Sequence, residues 1–409
     1  MSIASQIHGL LKLPCRQCNV AIQYILSLLQ DTGRHTLQAA SQKSGLHAAQ
    51  FSRFLSGHTD LALDNLNHLA CQRLKQLVAQ RHLLEKGAPW TIAIIIDATL
   101  HERSSRHLDN AQRFNHGQGW VIGHQWTNVL IVINGELVAL PPIPFLTAKT
   151  CKKLGQAYKT EPERIIEYLS TLDWQDLLPG VDPSEMVVLS DSGYDNKVLQ
   201  NFILSKGWDF IGSIKKTRSV YTSTQQRQSV EDLFSNTRKS GPWQTVYHKI
   251  NGGKKRREIA TRTLIGFLKG VSQPVKLMSV EKPNKQRLHL ACSHTSVSTG
   301  AITRLYRMRW KIELFHRDVK SYLGLEDAGL TKFQSIHSHV LWVYCAYLLL
   351  PKIAKQGPHT EGTLSMRRQV EKKIWDQQFA QIQKLNGRFD AKTAVRNHCL
   401  QVREKLLAA

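Results

Sequence analysis

The stretch "TIAIIIDAT" at 91–99 limits most strongly what this chain can become. Its β-branched residues run on without the polar alternation of a half-exposed strand. A strand apolar on both faces needs cover on both sides, which places it inside an α/β layer structure. "MVVLSDSGYDN" at 186–196 repeats the pattern. Each run ends in an aspartate, Asp97 in the first and Asp191 in the second. An Asp that ends a buried strand is often only a turn former or helix cap. Two of them, placed where loops open onto a cleft, make a pair of acids for chemistry worth testing.

Around these strands the texture changes several times. Residues 1–88 read as all-helical, with "TLQAASQKSGLHAAQFSRFLSG" (36–57) in the rhythm of a helix-turn-helix. Leu37 and Ala40 give an apolar face, and Gly45 supplies a turn that tolerates positive φ. Leu46 then leads a second helix with Phe51, Phe54 and Leu55 inward and Arg53 outward, a candidate DNA contact. A plain helical hairpin is the alternative. From 89 to 214 strands and helices alternate, with a hairpin expected at Asn134–Gly135 and a capping box from Thr160 to Glu163. Short alternating stretches between polar loops mark 215–300 as a β-rich insertion. The α/β pattern resumes over 301–355, and 356–409 reads as a basic helical tail.

Charge narrows the partners. The chain has 55 Lys and Arg against 31 Asp and Glu, a formal net charge of +24. That field attracts polyanions, nucleic acid first and an anionic membrane surface second. The longest apolar run, "VLWVYCAYLLL" (340–350), ends at Pro351 and is far short of the ~20 residues a bilayer requires. It reads as a buried helix, and no membrane partner is expected. The N-terminus lacks a secretory pattern, and the seven cysteines suit a reducing cytoplasm better than a disulfide framework.

The segment "YRMRWKIELFHRDVK" (306–320) supplies a third acid. On a helix of 100° per residue, Tyr306, Arg309, Glu313 and Lys320 fall within about 60° of one another. Leu305, Met308, Ile312, Phe315 and Val319 form a neighbouring apolar stripe. A Glu with Arg309 and Arg317 four residues to either side is also an ordinary helix-pairing pattern. Phosphodiester cleavage, however, needs an activated oxygen and neutralised charge. Two Mg²⁺ or Mn²⁺ ions held by carboxylates provide both. Asp97, Asp191 and Glu313 are the candidate metal ligands and catalytic acids. Arg309 and Lys320 would bind flanking phosphates, and Tyr306 a phosphate or a base.

The spacing Tyr306-x₂-Arg309-x₃-Glu313-x₆-Lys320 resembles the Y-R-E-K signature of bacterial insertion-sequence transposases with a DDE active site. "IIIDAT" and "LSDSGYDN" are similar to the segments that carry that family's two aspartates. The likeness runs from about 89 to 350. It implies an RNase H-like mixed-sheet core interrupted by the β-rich insertion. It also implies a DNA transposase that cuts element ends and joins them to a target, acting on double-stranded DNA as a homodimer. A metal-dependent nuclease on the same core, or a catalytically silent DNA-binding derivative, are the alternatives. Trp243 in the insertion is a candidate for gripping a displaced base, with a core position as its other reading. The chain departs from the family's pattern at Ala98 and at "LACSHTS" (290–296). Glu102, Asp109, Glu326 and Asp327 stand as rival ligands.

Overall fold

The structure, a computed structural model, describes residues 2–30, 33–103, 107–115, 119–222, 226–236, 242–250, 255–281, 286–354 and 362–386. The chain divides into two compact units, one of Met1–Leu69, Ser105–Asp109 and His316–Ala409, the other of Ala70–Ser104 and Asn110–Phe315.

The second unit is built on a mixed sheet. Strand β1 (Ile92–Glu102) contains the run read above, and Ile92 through Ile96 are wholly buried. Next come β2 (Gln112–Asn115), β3 (Trp120–Ile133), β4 (Glu136–Ala139) and β5 (Ile143–Pro144). β3 lies antiparallel to β1, and it turns into β4 through Asn134 and Gly135, both at positive φ as the hairpin requires. β6 (Met186–Ser190) then runs parallel to β1, and β7 (Asp209–Ser213) parallel to β6. The order β4-β3-β1-β6-β7 is the mixed sheet of an RNase H-like core.

Strands β8 (Ser219–Tyr221), β9 (Arg227–Ser229), β10 (Gln244–Ile250), β11 (Lys255–Leu268), β12 (Val275–Glu281) and β13 (Arg287–Cys292) follow. This stretch is rich in strands, and they do not form a sheet of their own. β13 pairs antiparallel with β7, so the order continues β7-β13-β12-β11-β8-β9, with β10 on β11. A buried polar knot fastens this seam. Asp209 on β7 accepts from Trp90 Nε1 at 2.9 Å and from Ser293 Oγ at 2.5 Å, and Ser293 Oγ in turn accepts from Phe210 N.

The first unit is helical. The apolar run lies in a helix, Phe333–Ala354, that starts before it and passes through Pro351. Its neighbours include the helices Cys15–Leu29 and Ala48–Gly57. Tyr24 OH bonds His339 Nδ1 at 2.6 Å, His339 Nε2 donates to the Gly324 carbonyl at 3.0 Å, and Phe54 stacks on Trp342. The helix-turn-helix rhythm is realised as Leu37–Ser44, then Gly45 at φ 72°, then Ala48–Gly57. The second helix starts two residues later than Leu46, because His47 and Gln50 form its capping box. Ser44, where an apolar residue is usual, accepts from Leu46 N and donates to Ala40 O, so it serves the turn.

Asp209→Ala strands a buried indole N–H and a hydroxyl, so urea unfolding should show a loss of about 2–3 kcal/mol, against about 1 kcal/mol for Ser293→Ala.

Candidate active site

Backbone register brings the two aspartates together. β1 and β6 pair in parallel up to Ile96 and Ser190, and the next residue on each strand is Asp97 and Asp191. Adjacent strands lie roughly 5 Å apart, so these side chains are neighbours. β1 continues to Glu102 against β3 alone. Asp97 therefore marks the point where the strand loses its parallel partner, not its own end, which is further on than the apolar run suggests. Asp191 leaves β6 directly into a tight turn, where its Oδ1 accepts from Gly193 N at 2.8 Å.

Glu313 arrives on a helix that is not the continuous one expected. The chain forms Thr299–Arg307, then breaks at Met308–Arg309, then resumes as Trp310–Leu323. Across the break the bonds are i to i−3: Met308 N to Leu305 O, Arg309 N to Tyr306 O and Ile312 N to Arg309 O. Such bonding eclipses residues three apart. It stacks Arg309 over Tyr306, whose hydroxyl shares side-chain hydrogen bonds with Arg309 and Ser213. The apolar stripe is buried as read at Leu305, Ile312, Phe315 and Val319, while Met308, inside the break, is only half-buried.

Arg309 is the centre of the cluster. Its Nη1 donates to Asp97 Oδ2 at 3.1 Å and to Glu313 Oε1 at 3.4 Å. Burial pushes the Asp97 carboxyl up to about 7, the Asp191 charge adds to the rise, Arg309 opposes it and Glu313 adds a little more. The three acids thus feel one another, with a guanidinium among them. Among the described residues no group of three or more His, Cys, Asp or Glu side chains stands ready to hold a metal ion. Asp97 and Glu313 share Arg309, with Asp191 beside Asp97, rather than forming an open ligand cage. Carboxylate oxygens are the donors a hard divalent cation takes, and Asp97 and Glu313 already hold the Arg309 guanidinium between them in a half-buried place.

Other expectations fare differently. Arg309 lies against the acids instead of standing free for phosphate. Lys320, two turns beyond Glu313 on the same helix, pairs with Glu326 at 2.7 Å. Arg317 turns to Asp318, not to Glu313. Arg53 is exposed on its helix. Among the rival ligands, Glu102 is exposed at the far end of β1, and Asp109 accepts from Phe333 N at 3.4 Å. Glu326 is held by Lys320, and Asp327 accepts from His35 N at 2.8 Å. Trp243 is half-buried, with the Arg262 guanidinium 4.4 Å from its ring centroid.

Sequence reasoning missed Glu161 and Tyr194. Glu161 opens the helix Glu161–Thr171, and its Oε1 accepts from Thr127 Oγ1 at 2.6 Å, Tyr194 OH at 3.0 Å and Gln125 Nε2 at 3.2 Å. Tyr194 belongs to the turn that Asp191 begins. Glu161 therefore anchors that turn to β3, and the Gly-Tyr after Asp191 was the available signal.

Residues 168–349 match the family described as transposase DDE domain. The matched stretch takes in Asp191 and Glu313 and begins beyond Asp97. No curated protein matches the chain. Among the described residues no helix is long and apolar enough to cross a membrane. The register that sets Asp97 beside Asp191, the Arg309 side chain that joins Asp97 to Glu313 and a mixed sheet of this order agree with that match: residues 168–349 carry a transposase DDE domain, which supports a DDE transposase of insertion-sequence type.

Proposed function

We propose that this transposase binds the ends of its own element, cuts DNA there with Asp97, Asp191 and Glu313, and joins the freed 3′-hydroxyls to a target. The observation that carries this reading is that Arg309 joins Asp97 to Glu313 while strand register sets Asp191 beside Asp97. Divalent ions, Mg²⁺ or Mn²⁺ and two in number by the family resemblance, supply Lewis acidity to the attacking and leaving oxygens when bound. The side chains of the chain do the rest. Arg309, already poised between the acids, exchanges its carboxylates for a DNA phosphate, which its planar fork suits. Tyr306 donates from beside it, and Lys320 exchanges Glu326 for backbone phosphate.

Arg53 and its helix contact duplex DNA in this reading. Trp243 holds a displaced base, and two copies of the chain bridge two ends, as the resemblance implies. The +24 charge supports a polyanionic substrate. A plain nuclease on this core would cut but not join, so precleaved ends separate the two: the transposase reading requires joined product from them.

Asp97→Ala should lower cleavage of cloned element ends by at least about a thousandfold and leave end binding within about twofold. Equal loss of binding would make Asp97 structural. The raised pKa gives a second test. Because folded Asp97 keeps its proton up to about 7 against an ordinary 3.8, its contribution to stability falls as pH rises from about 4 through 7. Asp97→Asn removes that liability, so without divalent ions the variant should gain on the native protein by about 2 kcal/mol between pH 5 and pH 8. Mg²⁺ or Mn²⁺ should raise the melting temperature of the native protein and not that of Asp97→Asn. Equal shifts would place the metal elsewhere.

A further inference from the structure

Beyond β7 the same end of the sheet carries a second built feature. The loop after Ser213, the start of the helix Lys197–Ser205 and the turn after β11 enclose a cleft of about 430 Å³. Its charged lining is Asp195, Lys197, Lys215, Arg218 and Lys269. We propose that this cleft binds phosphodiester groups of the DNA strand that lies at the carboxylates, a site that rests on the DNA-cutting reading above.

The single acid of the lining is spent inside the protein. The Asp195 side chain is 1% exposed, accepts from Lys215 N at 3.1 Å and from Gln200 Nε2 at 3.3 Å, and lies 3.6 Å from the Arg218 guanidinium. Arg218 is aimed by two more bonds, to Gln200 Oε1 and to the Lys269 carbonyl, each 3.3 Å. Lys197, Lys215 and Lys269 are exposed, and among the described residues none of their ammonium groups is in an ion pair. An oriented guanidinium with three such ammonium groups, in a lining whose acid among the described residues is buried, is a receptor for anions.

The frame is firm. Asn201 Nδ2 donates to Gly270 O at 2.8 Å and Asn201 Oδ1 accepts from Ser272 N at 2.9 Å, tying the helix to the turn. Gly270 has φ 81°, and a Cβ there would sit 2.8 Å from Lys197 Cδ, so the turn must be glycine for Lys197 to lie across it. The position fits a strand passing the acids. Asp195 is four residues beyond Asp191, and Ser213, which bonds the Tyr306 hydroxyl, is two before Lys215. With neighbouring strands about 5 Å apart, the end of β7 is about 10 Å from Asp97, a span of a few nucleotides.

The test measures binding of the full chain to a precleaved element-end duplex by fluorescence anisotropy over a range of salt. Lys197→Gln/Lys215→Gln/Lys269→Gln should weaken binding by about tenfold at ~0.15 M salt. It should also make the slope of log affinity against log salt shallower by about 2 to 3. The control Lys149→Gln/Lys152→Gln/Lys153→Gln removes the same charge from exposed positions on another helix of the same unit, and should produce less than about half of each change. Equal changes in the two variants would reduce the cleft to bulk charge and overturn the site. Coincident slopes in native and cleft variant, with inorganic phosphate stabilising only the native protein, would make it a free-anion site and overturn it too. A native chain that binds no duplex sinks the DNA-cutting reading itself, whereas binding with an unchanged slope in the cleft variant sinks this site alone.

Discussion

The backbone ladder between β1 and β6 forces two like charges together. Register is a cooperative property of many hydrogen bonds, and here it leaves Asp97 and Asp191 next to each other at the first position past the paired segment. The repulsion shows in the Asp97 carboxyl, which burial and its neighbours push up to about 7. A protein has three ways to relieve such a pair: a proton, a side-chain cation or a bound ion. The first two are already on display, as the elevated carboxyl and as the guanidinium of Arg309.

The break in the glutamate-bearing helix follows from the same need. A regular helix through 306–320 would set Tyr306 and Arg309 about 60° apart around the axis. Three-residue bonding over Met308–Arg309 stacks them instead. Arg309 then reaches Asp97 on the sheet as well as Glu313 on its own helix. A buried stripe on each side of the break, Leu305 before it and Ile312 and Phe315 after it, holds the irregular turn in place.

Much of this was legible along the chain. "TIAIIIDAT" and "MVVLS" declare strands because each needs cover on two faces, and the acids that follow the two apolar runs can be read directly, although β1 itself continues past Asp97 to Glu102. Asn134–Gly135 and Thr160–Glu163 specify local geometry through their own backbone preferences, and both appear as read. What stayed hidden depends on contacts distant in sequence. Periodicity cannot reveal a shift from four-residue to three-residue bonding within one turn. The ties of Lys320 to Glu326 and of Tyr194 to Glu161 depend on side-chain choices that spacing leaves open. Nor does any local pattern announce that the insertion prolongs the core sheet, since β13 looks the same whether it pairs with β7 or only with β12.

That last pairing has a consequence during synthesis. β7 leaves the ribosome with one flank paired to β6 and the other bare until Arg287–Cys292 has been translated. At ordinary elongation rates the delay is on the order of several seconds. For that interval the nascent core presents an apolar, unprotected edge, of the kind that invites intermolecular pairing. The long excursion between Ser213 and Arg287 thus sets how long that edge waits for its partner strand.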